Sequence, residues 1–372
     1  MNAVILILCC TLLFAVTVQW NKKISVGAGV IVALMYGYIA WQATDRPDYD
    51  MYENDYSDVV KGVQNGITTH PLWDVLMAIS NSIGISYRLF QTCIVMTSVI
   101  LIIGISAYYK DSINSIIITL LIYPGLVNVV QIRQFLSIAI AYCAYIIYFN
   151  ISSKKLKIFS IVLAVLACLI HATTIIYIGV FAINKIIKNI KIVGFVTVIV
   201  FGIIMCNPNI YIRIMQSVLG NEQSNLYMTV GSDVSSFVYN QLMFIASVLL
   251  VIYGITISVM NKHDYLNQHS AMYQGNMSML LIYLLASPLI FQFPDTTRLV
   301  RLPELAMAFV IEDYISQYYI EEGGLGIPDV KISVLKQWMM RAVFCIITAL
   351  LLFYSISIKD VLVPMLEAGI IW

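Results

Sequence analysis

One apolar run between two groups of lysines limits most strongly what this chain can fold into. The run covers residues 156–184, the first group is Lys154, Lys155 and Lys157, and the second is Lys185, Lys188 and Lys191. A helix over the whole run is about 43 Å long at 1.5 Å per residue, which exceeds the roughly 30 Å of a bilayer core. Because both lysine groups favour the cytoplasm, we predict two short helices that meet near His171 on the outer side. A single long tilted span is the competing interpretation.

The composition assigns the rest of the chain to the same class. Of its 372 residues, 60% are hydrophobic and only 11% are charged, and the mean hydropathy is +0.87. These values predict an all-α polytopic integral membrane protein with a single transmembrane domain over residues 1–372 and about 10–12 transmembrane helices. No basic tract indicates nucleic acid.

Further apolar runs predict the remaining spans. They cover residues 3–20, 24–43, 86–109, 113–130, 133–149, 190–206, 237–260, 275–293, 303–320 and 338–356, and the tail 360–372 is predicted as an interfacial helix. Residues 44–85 are expected outside the membrane, with an amphipathic helix from Leu72 to Ile83. A second outer loop is expected over 207–236, and both chain ends lie outside in this scheme.

Costly polar groups indicate where chemistry takes place. A cation at the bilayer centre costs about 2.5–3.5 kcal/mol, so Arg133 and His171, each in an apolar segment, are candidate site residues. The predicted orientation brings further charged residues to the same outer side: Arg46, Arg298 and Arg301, with Asp48, Asp50 and Asp295. Guanidinium groups bind phosphate oxygens in pairs, so this set predicts an anion site. Helix capping, or pairing of Arg298 and Arg301 with Asp295 and Glu304, is the structural alternative.

Neither a metal nor another cofactor is expected. The four histidines, His70, His171, His263 and His269, are scattered over both sides of the predicted topology and have no ligand spacing. The seven cysteines lie in apolar segments without CxxC spacing and are interpreted as small buried hydrophobic residues.

Four short motifs resemble the EpsG family of bacterial membrane proteins, which are Wzy-type exopolysaccharide and O-antigen polymerases. Arg46 precedes an acidic and aromatic stretch, Asp48-Tyr49-Asp50-Met51-Tyr52, and Ile132-Arg133-Gln134 opens a span. His171 stands between an apolar run and small residues, and Arg298 lies at a late outer boundary. Three positions depart from the family pattern. Pro47 replaces a glycine, His70-Pro71 replaces an acidic helix start, and Arg301 stands near Arg298 in place of a following tyrosine.

The resemblance implies a membrane glycosyltransferase that polymerises lipid-linked oligosaccharide repeat units on the outer side of the bacterial cytoplasmic (inner) membrane. It is compatible with a GT-C-like architecture. The donor and acceptor would both carry undecaprenyl diphosphate, so no nucleotide sugar is needed. A chain-length regulator and a flippase are candidate partners.

The same resemblance assigns a role to each candidate residue. Arg133 would stabilise the leaving diphosphate, with Arg298 or Arg301 second, and either His171 or Asp48 would act as the base. The other residues expected to bind the substrate are Arg46, Tyr49, Asp50, Tyr52, Gln134 and Asp295. Two alternatives stay open, a flippase or transporter of lipid-linked sugars and a membrane acyltransferase that modifies a polysaccharide.

Overall fold

A computed structural model describes residues 3–43, 49–64, 70–186, 190–206, 234–262, 270–288, 298–321 and 330–354. Within these ranges the regular structure is helical and there is no strand. In the described part of the chain, five helices contain a segment long and apolar enough to cross a membrane: Lys22–Gln42, Tyr87–Tyr109, Ile132–Asn150, Asn240–Ile257 and Leu335–Phe353. The all-α polytopic membrane class is therefore confirmed, and the total of 10–12 spans stays a prediction.

The helices are numbered in chain order over the described residues. They are α1 (Ala3–Thr17), α2 (Lys22–Gln42), α3 (Tyr49–Gln64), α4 (Pro71–Ser82), α5 (Tyr87–Tyr109), α6 (Asn114–Leu121), α7 (Gly125–Asn128), α8 (Ile132–Asn150), α9 (Lys154–Ile170), α10 (Ile175–Ile186), α11 (Ile190–Cys206), α12 (Val234–Lys262), α13 (Ser270–Ala286), α14 (Arg301–Glu321) and α15 (Val330–Tyr354).

Helix α8 lies at the centre of the bundle. Most of its side chains are buried, from Ile132 at its start to Phe149 near its end. It packs against α5, α9, α13 and α14, while α2 packs along the other side of α5. Such burial on all sides is typical of a helix inside a bundle, whereas α11 exposes Phe195, Val198 and Ile203 as a lipid-facing helix does.

The apolar run 113–130 does not form the span that the sequence predicts. Helix α6 ends at Leu121, after only two turns, and the four-residue α7 begins at Gly125. Pro124 explains the break, because proline lacks the N–H that a helix needs and disfavours helical geometry in the residue before it. All eight residues of α6 are buried, so the run is apolar because it lies inside the bundle.

The segment 44–85, which is predicted to lie outside the membrane, contains two helices among its described residues. The amphipathic helix predicted over Leu72–Ile83 is confirmed as α4, which begins with Pro71. Helix α3 was not predicted, because its many charges masked an apolar stripe at helical spacing: Tyr49, Tyr52, Tyr56 and Val59. Tyr56 fixes α3 in place, donating from its hydroxyl to the Ile85 carbonyl at 2.7 Å.

The long apolar run is broken at His171, as the sequence predicts. Helix α9 ends at Ile170, His171 is extended, and a 3₁₀ turn over Ala172–Thr174 leads into α10. The side of the membrane on which this break lies stays a prediction. The second predicted outer loop falls outside the described residues over 207–233, and so does the predicted tail helix.

A network of buried charges joins α14 to three other helices. Arg341 of α15 donates two hydrogen bonds to Glu312 of α14, from Nε to Oε1 at 3.1 Å and from Nη2 to Oε2 at 3.0 Å. The backbone N–H and hydroxyl of Ser115, at the start of α6, donate to Oε1 of the same carboxylate at 2.8 and 2.5 Å. The adjacent Asp313 forms an ion pair with Lys110 at the end of α5. Within the predicted span 303–320, Glu312 and Asp313 are therefore paired groups that tie helices together.

Candidate functional site

The start of α8 and the end of α9 lie side by side. The Ser137 hydroxyl donates to the Ala167 carbonyl at 2.7 Å and lies 2.8 Å from the Thr174 hydroxyl. Ser137 follows Arg133 by one helical turn, and Ala167 precedes His171 by one turn. This packing places Arg133 and His171 at the same end of the helix pair, which is the juxtaposition that the lysine groups predict.

Arg133 lies at the centre of a group of charged and polar side chains. Tyr52 and Asp55 of α3, Asp74 of α4 and Arg298 are within electrostatic range of its guanidinium. The Arg133 Nε is buried and has no hydrogen-bond partner. Among the described residues, none forms a hydrogen bond or an ion pair with this side chain. Arg133 is therefore a half-buried cation whose donors are available to a bound anion.

His171 lies beneath a second histidine. Its side chain is buried, at 7% exposure, and Nδ1 shares a hydrogen bond of 2.7 Å with the Thr173 hydroxyl. The ring of His70 stacks on it with the centroids 5.8 Å apart and the planes within 15° of parallel. The expectation that the histidines are scattered is wrong for this pair, because the packing of α4 on α9 brings residues 101 positions apart together. His263 and His269 lie outside the described residues.

The protonation of His70 and Asp74, at the start of α4, depends on burial and on the charge of Arg133. The pKa of His70 is lowered to about 4, first by burial and then by the positive charge of Arg133. Burial raises the pKa of Asp74, against the opposing effects of a backbone hydrogen bond and of Arg133. His70 is therefore neutral at physiological pH and can accept a proton.

Arg301 differs from Arg133 because its guanidinium already has partners. It is fully buried, and Nη1 donates to the side-chain oxygens of Asn128 at 2.8 Å and Gln134 at 3.1 Å. Nη2 donates to the side-chain oxygen of Gln131. These three amides lie on both sides of the corner between α7 and α8. Arg301 thus fixes the backbone that carries Arg133, and most of its donors are not available to substrate.

Arg298 lies in a short 3₁₀ turn that is attached to the bundle at two points. Its carbonyl accepts a hydrogen bond from Gln134 Nε2 at 3.4 Å, and the next carbonyl, that of Leu299, accepts one from the Tyr177 hydroxyl. Gln134 therefore contacts both Arg301 and the backbone of Arg298. These contacts occupy the side-chain oxygen and nitrogen of Gln134 within the protein, and its substrate-binding role stays a prediction.

The acidic and aromatic motif divides into two faces once it is helical. Tyr49 is buried and meets Tyr87 edge to face, with the ring centroids 5.2 Å apart. Asp50 is exposed, and among the described residues of the motif only Tyr52 lies within electrostatic range of Arg133. Of the other predicted site residues, Arg46, Asp48 and Asp295 lie outside the described residues.

Sequence reasoning missed three residues near Arg133: Asp55, His70 and Asp74. Helical spacing gives a signal for two of them, since Asp55 lies one turn after Tyr52 and Asp74 one turn after His70, and His70 is marked by its departure from the family pattern. The described part of the chain contains no group of three His, Cys, Asp or Glu side chains that could hold a metal ion. What the described residues do assemble is a cationic site with neutral imidazoles, suited to an anionic ligand and to proton transfer.

Comparisons with known proteins give one match. The EpsG family model matches residues 27–365, nearly the whole chain. No curated protein and no solved structure matches. The matched range includes every site residue described above.

Proposed function

We propose, since the chain belongs to the EpsG family of Wzy-like polymerases, that it polymerises undecaprenyl-diphosphate-linked oligosaccharide repeat units. The family supports a polysaccharide polymerase function in general. The lipid-linked substrate, the glycosyltransferase chemistry and the outer side of the cytoplasmic membrane as the place of reaction are parts of the proposal. The product would be an O-antigen, a capsule or an exopolysaccharide.

The observation that carries this proposal is the state of Arg133. A half-buried guanidinium with no hydrogen bond or ion pair to any described residue is costly unless a ligand uses it. A diphosphate compensates that charge with several oxygens and can accept paired hydrogen bonds from the planar donor group. Arg301 provides a contrast within the same site, because its guanidinium is already used by amides of the protein.

In the proposed reaction, a hydroxyl of the acceptor unit attacks the anomeric carbon of the donor glycan. A new carbon–oxygen bond forms while the bond from that carbon to the diphosphate breaks, and the electron pair leaves on the diphosphate. Arg133 stabilises the charge that develops on the diphosphate, and such stabilisation by a preorganised donor is usually the largest single contribution to catalysis. Arg298 is the second candidate for the same role. The proton of the acceptor hydroxyl passes to a base, for which His171 and Asp48 are the candidates predicted from the sequence.

Residues around Arg133 would bind the glycan. Tyr52 and Asp55 of α3 lie within electrostatic range of the cation and offer a ring and a carboxylate, the groups that stack on sugars and bind their hydroxyls. The buried Tyr49 is better explained as an anchor of α3 against α5.

The pairing of Glu312 and Asp313 argues against the transporter alternative. A cation-coupled carrier needs ionisable groups that bind and release an ion within the membrane. Glu312 and Asp313 are the acidic residues deepest in a predicted span, and each forms an ion pair with a basic side chain. Paired carboxylates of this kind are typical of structural networks.

Glycan chain length in cells that lack this gene tests the proposal. Loss of a polymerase leaves glycans of one repeat unit on the cell surface, and the gene in trans restores the long chains. Loss of a flippase would trap the units inside, and loss of an acyltransferase would leave chain length unchanged. Either of the last two results contradicts the proposed function.

A further inference from the structure

The two stacked histidines at the site differ in their access to a ligand. His171 is the inner ring, 7% exposed and hydrogen-bonded through Nδ1 to Thr173. His70 is the outer, half-buried ring, and among the described residues neither of its ring nitrogens has a hydrogen-bond partner. A substrate hydroxyl that approaches from outside would therefore meet His70 first.

The backbone around His70 leaves its ring free to serve the site. His70 stands at the N-cap of α4, where its carbonyl accepts the Asp74 N–H at 2.9 Å and Pro71 occupies the first helical position. Residues at this position commonly use their side chain to cap the helix. The His70 side chain makes no such bond, and its ring lies against His171 and near Arg133 instead.

We propose that His70 accepts the proton of the acceptor hydroxyl and that His171, stacked beneath it, is a positioning residue that holds the His70 ring. This inference rests on the proposed function and replaces both bases predicted from the sequence. As the hydroxyl oxygen bonds to the anomeric carbon, its proton moves to a ring nitrogen of His70, and the electron pair of the broken bond leaves on the diphosphate. The half-buried ring then releases the proton to solvent.

The charges that face His70 suit this role. Burial and then the positive charge of Arg133 disfavour a charged His70, so the imidazole is neutral and ready to accept a proton. A diphosphate bound at Arg133 offsets the cation. His70 therefore becomes a stronger base when the donor is in place, which couples proton transfer to donor binding.

Two substitutions separate a base from a packing residue. His70→Phe keeps an aromatic ring for the stack on His171 but cannot accept a proton. His70→Glu loses the ring but keeps a proton acceptor, and a carboxylate is well tolerated at a helix N-terminus. Polymerisation rates are measured in membranes that contain equal amounts of each variant, with lipid-linked repeat units as the substrate.

We expect His70→Phe to lose about 100-fold or more in rate, as removal of a general base does, and His70→Glu to retain clearly more activity than the Phe variant. Equal activities, or a more active Phe variant, would overturn the inference. If either protein fails to accumulate, His70→Ala is tested with added imidazole. The imidazole should raise the polymerisation rate at least tenfold, and an absence of rescue would contradict the role of His70 as the base. A wild-type protein that forms no polymer would refute the proposed function itself, which is a separate outcome.

Discussion

The buried pair Glu312–Arg341 gives a prediction whose magnitude follows from its geometry. Both side chains are at most 2% exposed, and two hydrogen bonds of 3.1 and 3.0 Å join them. Removal of one partner from such a pair costs about 3–5 kcal/mol, because an uncompensated charge stays buried. Ser115 still donates twice to Glu312, so we expect Arg341→Met to lower the free energy of unfolding by about 3 kcal/mol, at the low end of that range.

The double variant distinguishes a structural pair from a functional carboxylate. Glu312→Gln alone leaves the Arg341 cation buried, and we expect a loss similar to that of Arg341→Met. The combined variant buries no unpaired charge, so its loss should fall short of the sum of the single losses by about 2–3 kcal/mol. Unfolding by SDS titration of the detergent-solubilised protein measures all four states of the cycle.

Additive losses in this cycle would refute the view that the two residues act as one structural unit. Activity provides the second readout. Polymerisation by the double variant, at equal abundance in the membrane, should match that of the wild type. A stable double variant that makes no polymer would show that Glu312 takes part in function, as the transporter alternative requires.

Three further predictions concern the site and the topology. Arg301→Lys should reduce both the stability of the protein and the polymerisation rate, because one ammonium cannot replace three directed hydrogen bonds to side-chain amides. A loss of activity at unchanged stability would instead indicate that Arg301 contacts the substrate. A cysteine at Asp50 should label with an impermeant thiol reagent in cells without an outer-membrane barrier, and one at Ser153 should not; labelling at Ser153 would reverse the topology. Arg133→Lys should abolish most polymerisation while the protein is present at normal abundance. If Arg133 forms only a structural salt bridge, the Lys variant would keep much of the activity, and the activity lost by Arg133→Ala would follow its reduced protein level.

Features that depend on local sequence were predicted successfully. The lysine groups and the excess length of the run 156–184 were sufficient to predict the break at His171 and its position beside Arg133. Pro71 and the apolar spacing after it predicted α4. Helix length, charge placement and proline chemistry act within a few residues of one another, so a single chain reveals them.

Features that depend on packing could not be predicted in this way. Run 113–130 is as apolar as a span, and although Pro124 explains its break, only the structure shows that α6 is buried inside the bundle. Charged side chains differ in the same manner: the Nη atoms of Arg301 and the carboxylate of Glu312 have partners from distant helices, whereas Arg133 has none among the described residues. His70 stands out in the sequence only as a departure from the family pattern, because its place beside His171 comes from the contact of α4 with α9, which no spacing along the sequence encodes.

The most direct test of the proposed function is reconstitution of the purified protein in liposomes with lipid-linked repeat units as its sole substrate. We expect products of two and more repeats to form without any nucleotide sugar, together with free undecaprenyl diphosphate, and to be absent with Arg133→Ala at equal abundance. Liposomes in which the repeat units cross the bilayer but remain single would contradict the polymerase assignment. Long products from the Arg133→Ala protein would remove this guanidinium from the reaction.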